Sequence, residues 1–309
     1  MLKEFYLQPG AADPVLPDAE VLRCVRRFEP RAQTVTGVDE SGGEARTYVV
    51  DDNIVLKVQR PQQLRLSTSL AKEVFYLNQL AVTASGLPVP RVLGYARETN
   101  LLEYNIQTRM PGVAFENAPL TPDARRAAIF NVGRLLRRLH AVPQAPFHDS
   151  AHFPADRIPA DFKARLAAYF SVAEKRLQKD GRMWPIKTAL DAIAEQALGA
   201  LPETDDFVAL HSNPGAPHTF VDPYTGQFNG LIDFGDAYIS HPSLDLWRWR
   251  WPADRAACLA GYTANAPVSD VFMQIWKVVT IVAGVILIAY FPAREAEAIA
   301  DLQQSLRLI

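Results

Sequence analysis

Residues 211–218, His-Ser-Asn-Pro-Gly-Ala-Pro-His, and the Asp233-Phe234-Gly235-Asp236 segment beyond them carry the side chains best suited to chemistry. His211, Asn213, His218 and Asp233 are the candidate functional residues. The prolines and the glycine of the run exclude helix and ladder, so a loop must present these groups. Two further candidates lie earlier. Lys57 is a lone cation on a strand whose other face carries Ile54, Leu56 and Val58. Glu73 falls on the apolar stripe of the next helix, three residues after Leu70 and four before Leu77. A carboxylate held against apolar surface must be paired, and the lysine of the preceding strand is the obvious cation to meet it. Ser41, Gly42 and Gly43 sit in the polar turn Asp39–Glu44, where glycines let backbone amides approach an anion closely. A cation and an amide-rich turn could hold phosphate, although the acidic residues of the turn would repel it.

Several elements must position them. Asp18 reads as the cap of a helix reaching Phe28, followed by strands over Gln33–Val38, Thr47–Val50 and Asn53–Gln59. The helix Leu70–Leu80 buries Leu70, Val74, Leu77 and Ala81 by spacing. Leu101–Met110 reads as the last strand of a small lobe, broken by Pro111-Gly112. Thr121 as N-cap with Pro122 at the first helical position starts a long helix in which Ile129, Val132, Leu136 and Leu139 recur as far as His140, itself read as structural. An irregular stretch over 143–160 precedes helices at Asp161–Gln178 and Pro185–Leu198. Phe207–Leu210 leads as a short buried strand into the His211 loop. The hairpin Thr219–Val221 and Phe228–Ile232 then delivers Asp233.

The order of these parts resembles the aminoglycoside phosphotransferase and choline kinase branch of the kinase-like phosphotransferases. In that family a loop of the form His-Gly-Asp, four residues, Asn precedes a hairpin and an Ile-Asp-Trp/Phe-Gly/Glu segment. His211 and Asp233 match; Asn213 stands at the Asp position and His218 at the Asn position. The Pro88-Val89-Pro90-Arg91-Val92-Leu93 run, the Leu135–His140 helix ending and Asp245-Leu246 are similar to further family segments, so the likeness spans about Val35 to Leu246. It implies an α+β, protein kinase-like two-lobe fold. Residues 1–110 would form a nucleotide-binding lobe with a small antiparallel sheet and one main helix. Residues 111–309 would form a mostly helical lobe with a remnant of the catalytic loop and the substrate pocket. It also implies ATP or GTP as phosphate donor, Lys57 and Glu73 positioning the phosphates, and adenine against the backbone near Thr108–Met110. Mg2+ would sit on Asp233 and the His218 position, and Asp245 would bond loop amides. Asn213 has no basic oxygen to take a proton, and magnesium prefers oxygen to imidazole, so slow turnover is expected. Two alternatives stand beside the phosphotransferase reading: a non-catalytic, pseudokinase-type nucleotide or metabolite binder, and a protein-interaction module docking through its apolar C-terminal helix.

Composition narrows the classes further. With 309 residues, 49% hydrophobic and 21% charged, the chain has the make-up of one large or two moderate globular domains. A net charge of -2 supplies no long-range attraction for nucleic acid, which is not expected as a partner. Cys24 and Cys258 are far apart without metal-ligand neighbours, so both read as core thiols in a reducing, cytoplasmic compartment. His148 and His152 lack a companion ligand, and a metal pair is not expected there. The apolar run Val278–Phe291 falls short of the about 20 residues a membrane span needs and reads as a buried helix. The alternation Trp247-Arg248-Trp249-Arg250-Trp251 reads as tryptophans packed into the large lobe, with two arginines at a helix edge.

Overall fold

The computed structural model describes residues 15–40, 42–60, 69–98 and 102–309; the predicted phosphate contact Ser41 lies outside the described residues. The chain divides into two compact units. Met1–Ala124, Val142–Phe153 and Ala216–Ala237 make the first; Arg125–Ala141, Pro154–Gly215 and Tyr238–Ile309 make the second.

In the first unit, helix α1 (Asp18–Arg26) precedes strands β1 (Val35–Asp39), β2 (Ala45–Val50) and β3 (Ile54–Gln59). Helix α2 (Ser69–Thr83) follows, then β4 (Val92–Arg97), β5 (Glu103–Thr108) and the short β6 (Val113–Ala114). The five longer strands form one antiparallel sheet in the order β1-β2-β3-β5-β4. One face is apolar: Tyr48, Val50, Leu56, Val58, Tyr104 and Ile106 pack with Val21, Cys24 and Val25 of α1. Asp18 does not cap α1. Pro17, extended at φ -67 and ψ 154, takes that position, and Asp18 joins Glu20 in the first turn, where carboxylates favour the helix dipole.

The buried stripe of α2 is rotated from the spacing-based expectation. It runs through Leu70, Glu73, Tyr76, Leu77 and Leu80, whereas Ala81 is exposed and Val74 only half-buried. The cause is Tyr76, whose ring packs against Phe147, Phe153 and Phe234 at 4.8, 6.0 and 5.1 Å.

Helix α3 (Pro122–His140) begins with Thr121 Oγ1 accepting the Ala124 amide at 3.3 Å, as expected of its cap. The irregular stretch after it holds one short helix, α4 (Ala145–His148). The second unit continues with α5 (Pro159–Lys179), α6 (Leu190–Gly199) and strand β7 (Val208–Leu210). Helix α6 starts five residues later than expected, because residues 184–188 close a turn in which Trp184 Nε1 donates to the Thr188 carbonyl.

Strands β8 (Thr219–Val221) and β9 (Phe228–Leu231) form the expected hairpin, which groups with the first unit. It does so because β8 pairs with β6 and the Leu231 amide donates to the Pro88 carbonyl at 3.1 Å. Strand β10 (Tyr238–Ser240) pairs antiparallel with β7 in the second unit. Helices α7 (Ser243–Leu246), α8 (Pro252–Thr263), α9 (Asp270–Tyr290) and α10 (Glu295–Leu306) complete that unit.

Helix α9 spans 21 residues, longer than its uncharged run suggested, and is apolar enough by length and composition to cross a membrane. It is nonetheless 78% buried over its most apolar stretch, packed against α5 and α10. Its apolar face is therefore core, which removes the basis for docking through it. Cys24 and Cys258 are both buried free thiols, as expected.

Candidate functional site

Glu73 is the hub of the first unit's site. Its carboxylate is 1% exposed and accepts four hydrogen bonds. Lys57 Nζ donates to both oxygens at 2.8 and 3.0 Å. Asn105 Nδ2 donates to Oε2 at 3.0 Å, and the Phe234 amide to Oε1 at 3.3 Å. Strand β3, strand β5 and the segment after β9 are thereby tied to α2 through one side chain. Asn105 is a site residue that the sequence reading misses. Its signal was the alternation of Glu103, Asn105 and Gln107 with Tyr104 and Ile106, which puts a polar row on one face of β5. Register places Asn105 directly opposite Lys57.

Lys57 also reaches Asp233, with Nζ 3.0 Å from Oδ1. Burial works against the ammonium charge, but Asp233 and Glu73 outweigh it and raise the Lys57 pKa above that of a free lysine. Lys57 therefore stays charged at any ordinary pH. Asp233 adopts φ +71, a left-handed conformation uncommon for a residue with a side chain. On its other side Oδ2 lies 3.3 Å from His218 Nε2. Backbone pairing sets that approach, since the Ile232 amide donates to the His218 carbonyl at 3.0 Å.

These residues do not fit a magnesium ion held by the protein. One Asp233 oxygen is taken by an ammonium, the other faces an imidazole, and magnesium prefers oxygen donors. Among the described residues no group of three His, Cys, Asp or Glu side chains is placed to hold a metal; the His148 and His152 stretch supplies none either.

The glycine turn is pinned by its carbonyls. Arg60, 5% exposed, donates to the carbonyls of Glu40 and Gly42 at 3.1 and 2.9 Å, and Gln59 Nε2 to that of Glu44 at 2.8 Å. A Cβ on Gly42 would come within 2.9 Å of the Ala45 carbonyl oxygen, so the turn needs glycine there. Gly43 lies between these anchors, and the Glu40 carboxylate is ion-paired with Arg46. At the far end of β5 the amides of Thr108 and Arg109 are committed to the Arg91 and Asn53 carbonyls. Met110, 8% exposed, makes no backbone–backbone hydrogen bond among the described residues.

The second unit has a hub of the same kind in Asp245, fully buried. Oδ2 accepts the His211 amide at 2.8 Å and lies 3.0 Å from His140 Nε2; Oδ1 accepts the Ser212 amide at 2.7 Å. An ionised carboxylate only accepts, so His140 donates through Nε2, leaving Nδ1 to face the Tyr262 hydroxyl at 3.1 Å. Both the loop-anchoring role of Asp245 and the structural role of His140 agree with the sequence reading. His211 is fully buried, and its Nδ1 accepts the Asn213 amide at 3.3 Å. Its ring thus shapes the loop that presents Asn213. Ser212 adopts φ +78, where the family pattern has glycine.

A small antiparallel sheet bearing a lysine–glutamate pair, an aspartate after a hairpin and a largely helical second unit define the kinase-like class. Residues 36–268 match the model of the phosphotransferase enzyme family, and the chain belongs to that family. Aminoglycoside 2'-phosphotransferase-IIIa in its GDP complex is 15% identical over 95% of this chain and 99% of its own, at a TM-score of 0.59. Macrolide 2'-phosphotransferase MphH from Brachybacterium faecium is 19% identical over 93% and 97%, at 0.62. The APH(2")-IIa ternary complex with streptomycin and ATP is 17% identical over 94% and 97%, at 0.58. At these identities the likeness is one of fold. No curated protein matches the chain by sequence.

Proposed function

We propose that the chain is an ATP- or GTP-dependent phosphotransferase acting on the hydroxyl of a small molecule, slowed by Asn213 and His218. The observation that carries this reading is the Lys57 ammonium, gripped by Glu73 and facing Asp233 at 3.0 Å. A cation so held is preorganised for phosphate oxygens. The turn at Gly42 and Gly43 would cover the phosphates and Met110 would meet the base. In the reaction the acceptor oxygen forms a bond to the terminal phosphorus, and the bond from that phosphorus to the bridging oxygen breaks. The nucleoside diphosphate leaves, and the hydroxyl proton passes to water.

Asn213 would orient the hydroxyl without taking its proton. Losing a general base costs on the order of 10²- to 10⁴-fold, or roughly 3–5 kcal/mol of barrier. Phosphoryl transfer leans mainly on positioning and charge, so the loss slows it without abolishing it. A second reading, a non-catalytic nucleotide binder, is favoured by the contact of Asp233 with both Lys57 and His218, which occupies the carboxylate.

Thermal melting with ATP or GTP, each with magnesium or manganese, tests nucleotide binding; no stabilisation under any combination refutes both readings. Product formation in the native chain and in Asn213→Asp with His218→Asn separates them. A gain of about 10²-fold or more in the double variant supports an impaired phosphotransferase. Equal, substantial turnover in both chains shows that the base lies elsewhere.

A further inference from the structure

Among the described residues Arg248 and Arg250 hold no carboxylate, unlike six other arginines of the second unit. Arg125, Arg165, Arg176, Arg182, Arg255 and Arg294 each hold a carboxylate at 2.5–2.7 Å. Arg248 and Arg250 are half-buried, and their Nε–H donors are buried without a hydrogen-bond partner among the described residues. Each lies instead against an aromatic ring, Arg248 at 5.5 Å from Trp247 and Arg250 at 5.6 Å from Phe291. Trp247 is 2% exposed and its Nε1–H is likewise unpartnered.

These groups share one neighbourhood. Tyr169 packs edge-on against Trp247 at 4.9 Å, and Arg165 lies over Tyr238 at 4.4 Å. Arg248, Arg165, Tyr169 and the Asp245 carboxylate all act electrostatically on the buried Tyr238 phenol. Burial, and then the like charge of Arg248, lower the pKa of Arg250. Arg165 is already neutralised by its two bonds to Asp156 at 2.7 Å. Two largely desolvated cations side by side, with donors unused, are costly unless an anion joins them. A guanidinium fork matches carboxylate or phosphate oxygens in bidentate fashion.

The segment also issues from the loop anchor. The Arg248 amide donates to the Asp245 carbonyl at 3.3 Å, and the Asp245 side chain holds the amides of the loop that ends in Asn213.

We propose that Arg248 and Arg250, with the Trp247 indole N–H, bind the anionic group of the acceptor molecule, which is a hydroxylated carboxylic acid or sugar phosphate. The acceptor assignment rests on the phosphotransferase reading above; the anion site does not. Two unpaired arginines repel a polycationic amino sugar, so that acceptor class is disfavoured here.

Calorimetric titration of the full chain with inorganic phosphate and with gluconate, at constant ionic strength, tests the site directly. Binding of either anion, weakened at least about tenfold in Arg248→Gln and Arg250→Gln and partly regained in Arg250→Lys, is expected. Melting in anion-free buffer identifies any variant that has lost its fold, and for such a position the charge-keeping lysine substitution decides. No binding by the native chain, or equal binding by folded variants, overturns the proposal. Nucleoside diphosphate release is then compared for gluconate, glucose 6-phosphate, glucose and a polyamino sugar. Preference for one or both anions over glucose is expected, raised KM in the glutamine variants with it. Equal use of glucose, or preference for the amino sugar, overturns the acceptor assignment. If none of these acceptors gives nucleoside diphosphate release, the phosphotransferase reading fails, and the titration alone then decides the anion site.

Discussion

Two buried carboxylates, one in each unit, do the same structural work on different chemistry. Glu73 gathers a lysine, an asparagine and the Phe234 amide; Asp245 gathers His140 and the amides of His211 and Ser212. Each converts a residue distant in sequence into a fixed neighbour of a loop. The difference lies in what the hub presents. Glu73 holds an ammonium suited to phosphate, whereas Asp245 holds the loop that carries Asn213. Positioning survives in both units, and the departures from the family pattern at Asn213 and His218 fall on half-buried side chains. That division is expected when ligand-facing residues change while a carboxylate stays buried under three or four hydrogen bonds, because removing the carboxylate strands every donor at once.

The comparison breaks most severely at Asp245. Asp245→Ala leaves two amides and the His140 donor without an acceptor, and a stability loss of about 3–5 kcal/mol is expected in denaturant unfolding. An effect under about 1 kcal/mol would show that the loop does not depend on this hub. Glu73→Gln should cost less, about 1–3 kcal/mol, because the amide keeps one carbonyl oxygen, an acceptor for either Asn105 or the Phe234 amide, while the lysine loses its charge partner. Its distinguishing readout is nucleotide-dependent stabilisation in thermal melting, which should fall even where the fold persists. Retention of the full nucleotide shift would separate Glu73 from phosphate positioning.

His241 sharpens the second unit by pH. Its ring packs against Phe162 and Phe272 at 5.5 and 5.1 Å, and Nδ1 accepts the Ser243 amide at 3.3 Å, which requires the neutral form. Burial, then the nearby His140, lower its pKa to about 3. Above pH 6.5 folded and unfolded chains are both neutral at this residue and it contributes nothing. As pH falls below 6.5 the unfolded chain takes up a proton that the folded chain refuses, so stability declines by up to about 1.4 kcal/mol per pH unit toward pH 3. His241→Asn keeps an acceptor for Ser243 and should flatten the decline between pH 6 and 4; an unchanged slope would assign it to other groups.

The smallest effect belongs to Ser212. Its left-handed backbone at φ +78 is strained for a residue with a side chain, and Ser212→Gly should raise stability by at most about 1 kcal/mol. A loss would mean that the serine side chain contributes more than the strain costs.

The sequence carried much of the first site because its physics is local and periodic. Alternation put Lys57 opposite an apolar face, and helical spacing put Glu73 on a buried stripe that no lone carboxylate can occupy. Prolines and glycine made residues 211–218 a loop, turn residues made the hairpin before Asp233, and the Pro122 start and Leu139-His140 end bounded α3. Where a single residue overrode spacing, the reading slipped: Tyr76 rotated the face of α2, and Pro17 displaced Asp18 from the cap. Asn105 went unseen because its value comes from strand register against Lys57, which is a property of two strands and not of one.

By itself, then, the chain's order of residues determined which side chains are candidates for chemistry and where they depart from the family pattern, since composition and local geometry are intrinsic to short segments. Tertiary structure alone decided that His218 lies on Asp233, that the hairpin groups with the small sheet, and that Arg248 and Arg250 have no carboxylate beside them among the described residues. Each of those is a contact between distant segments, set by backbone pairing and burial, and no local pattern encodes which partner will be within reach.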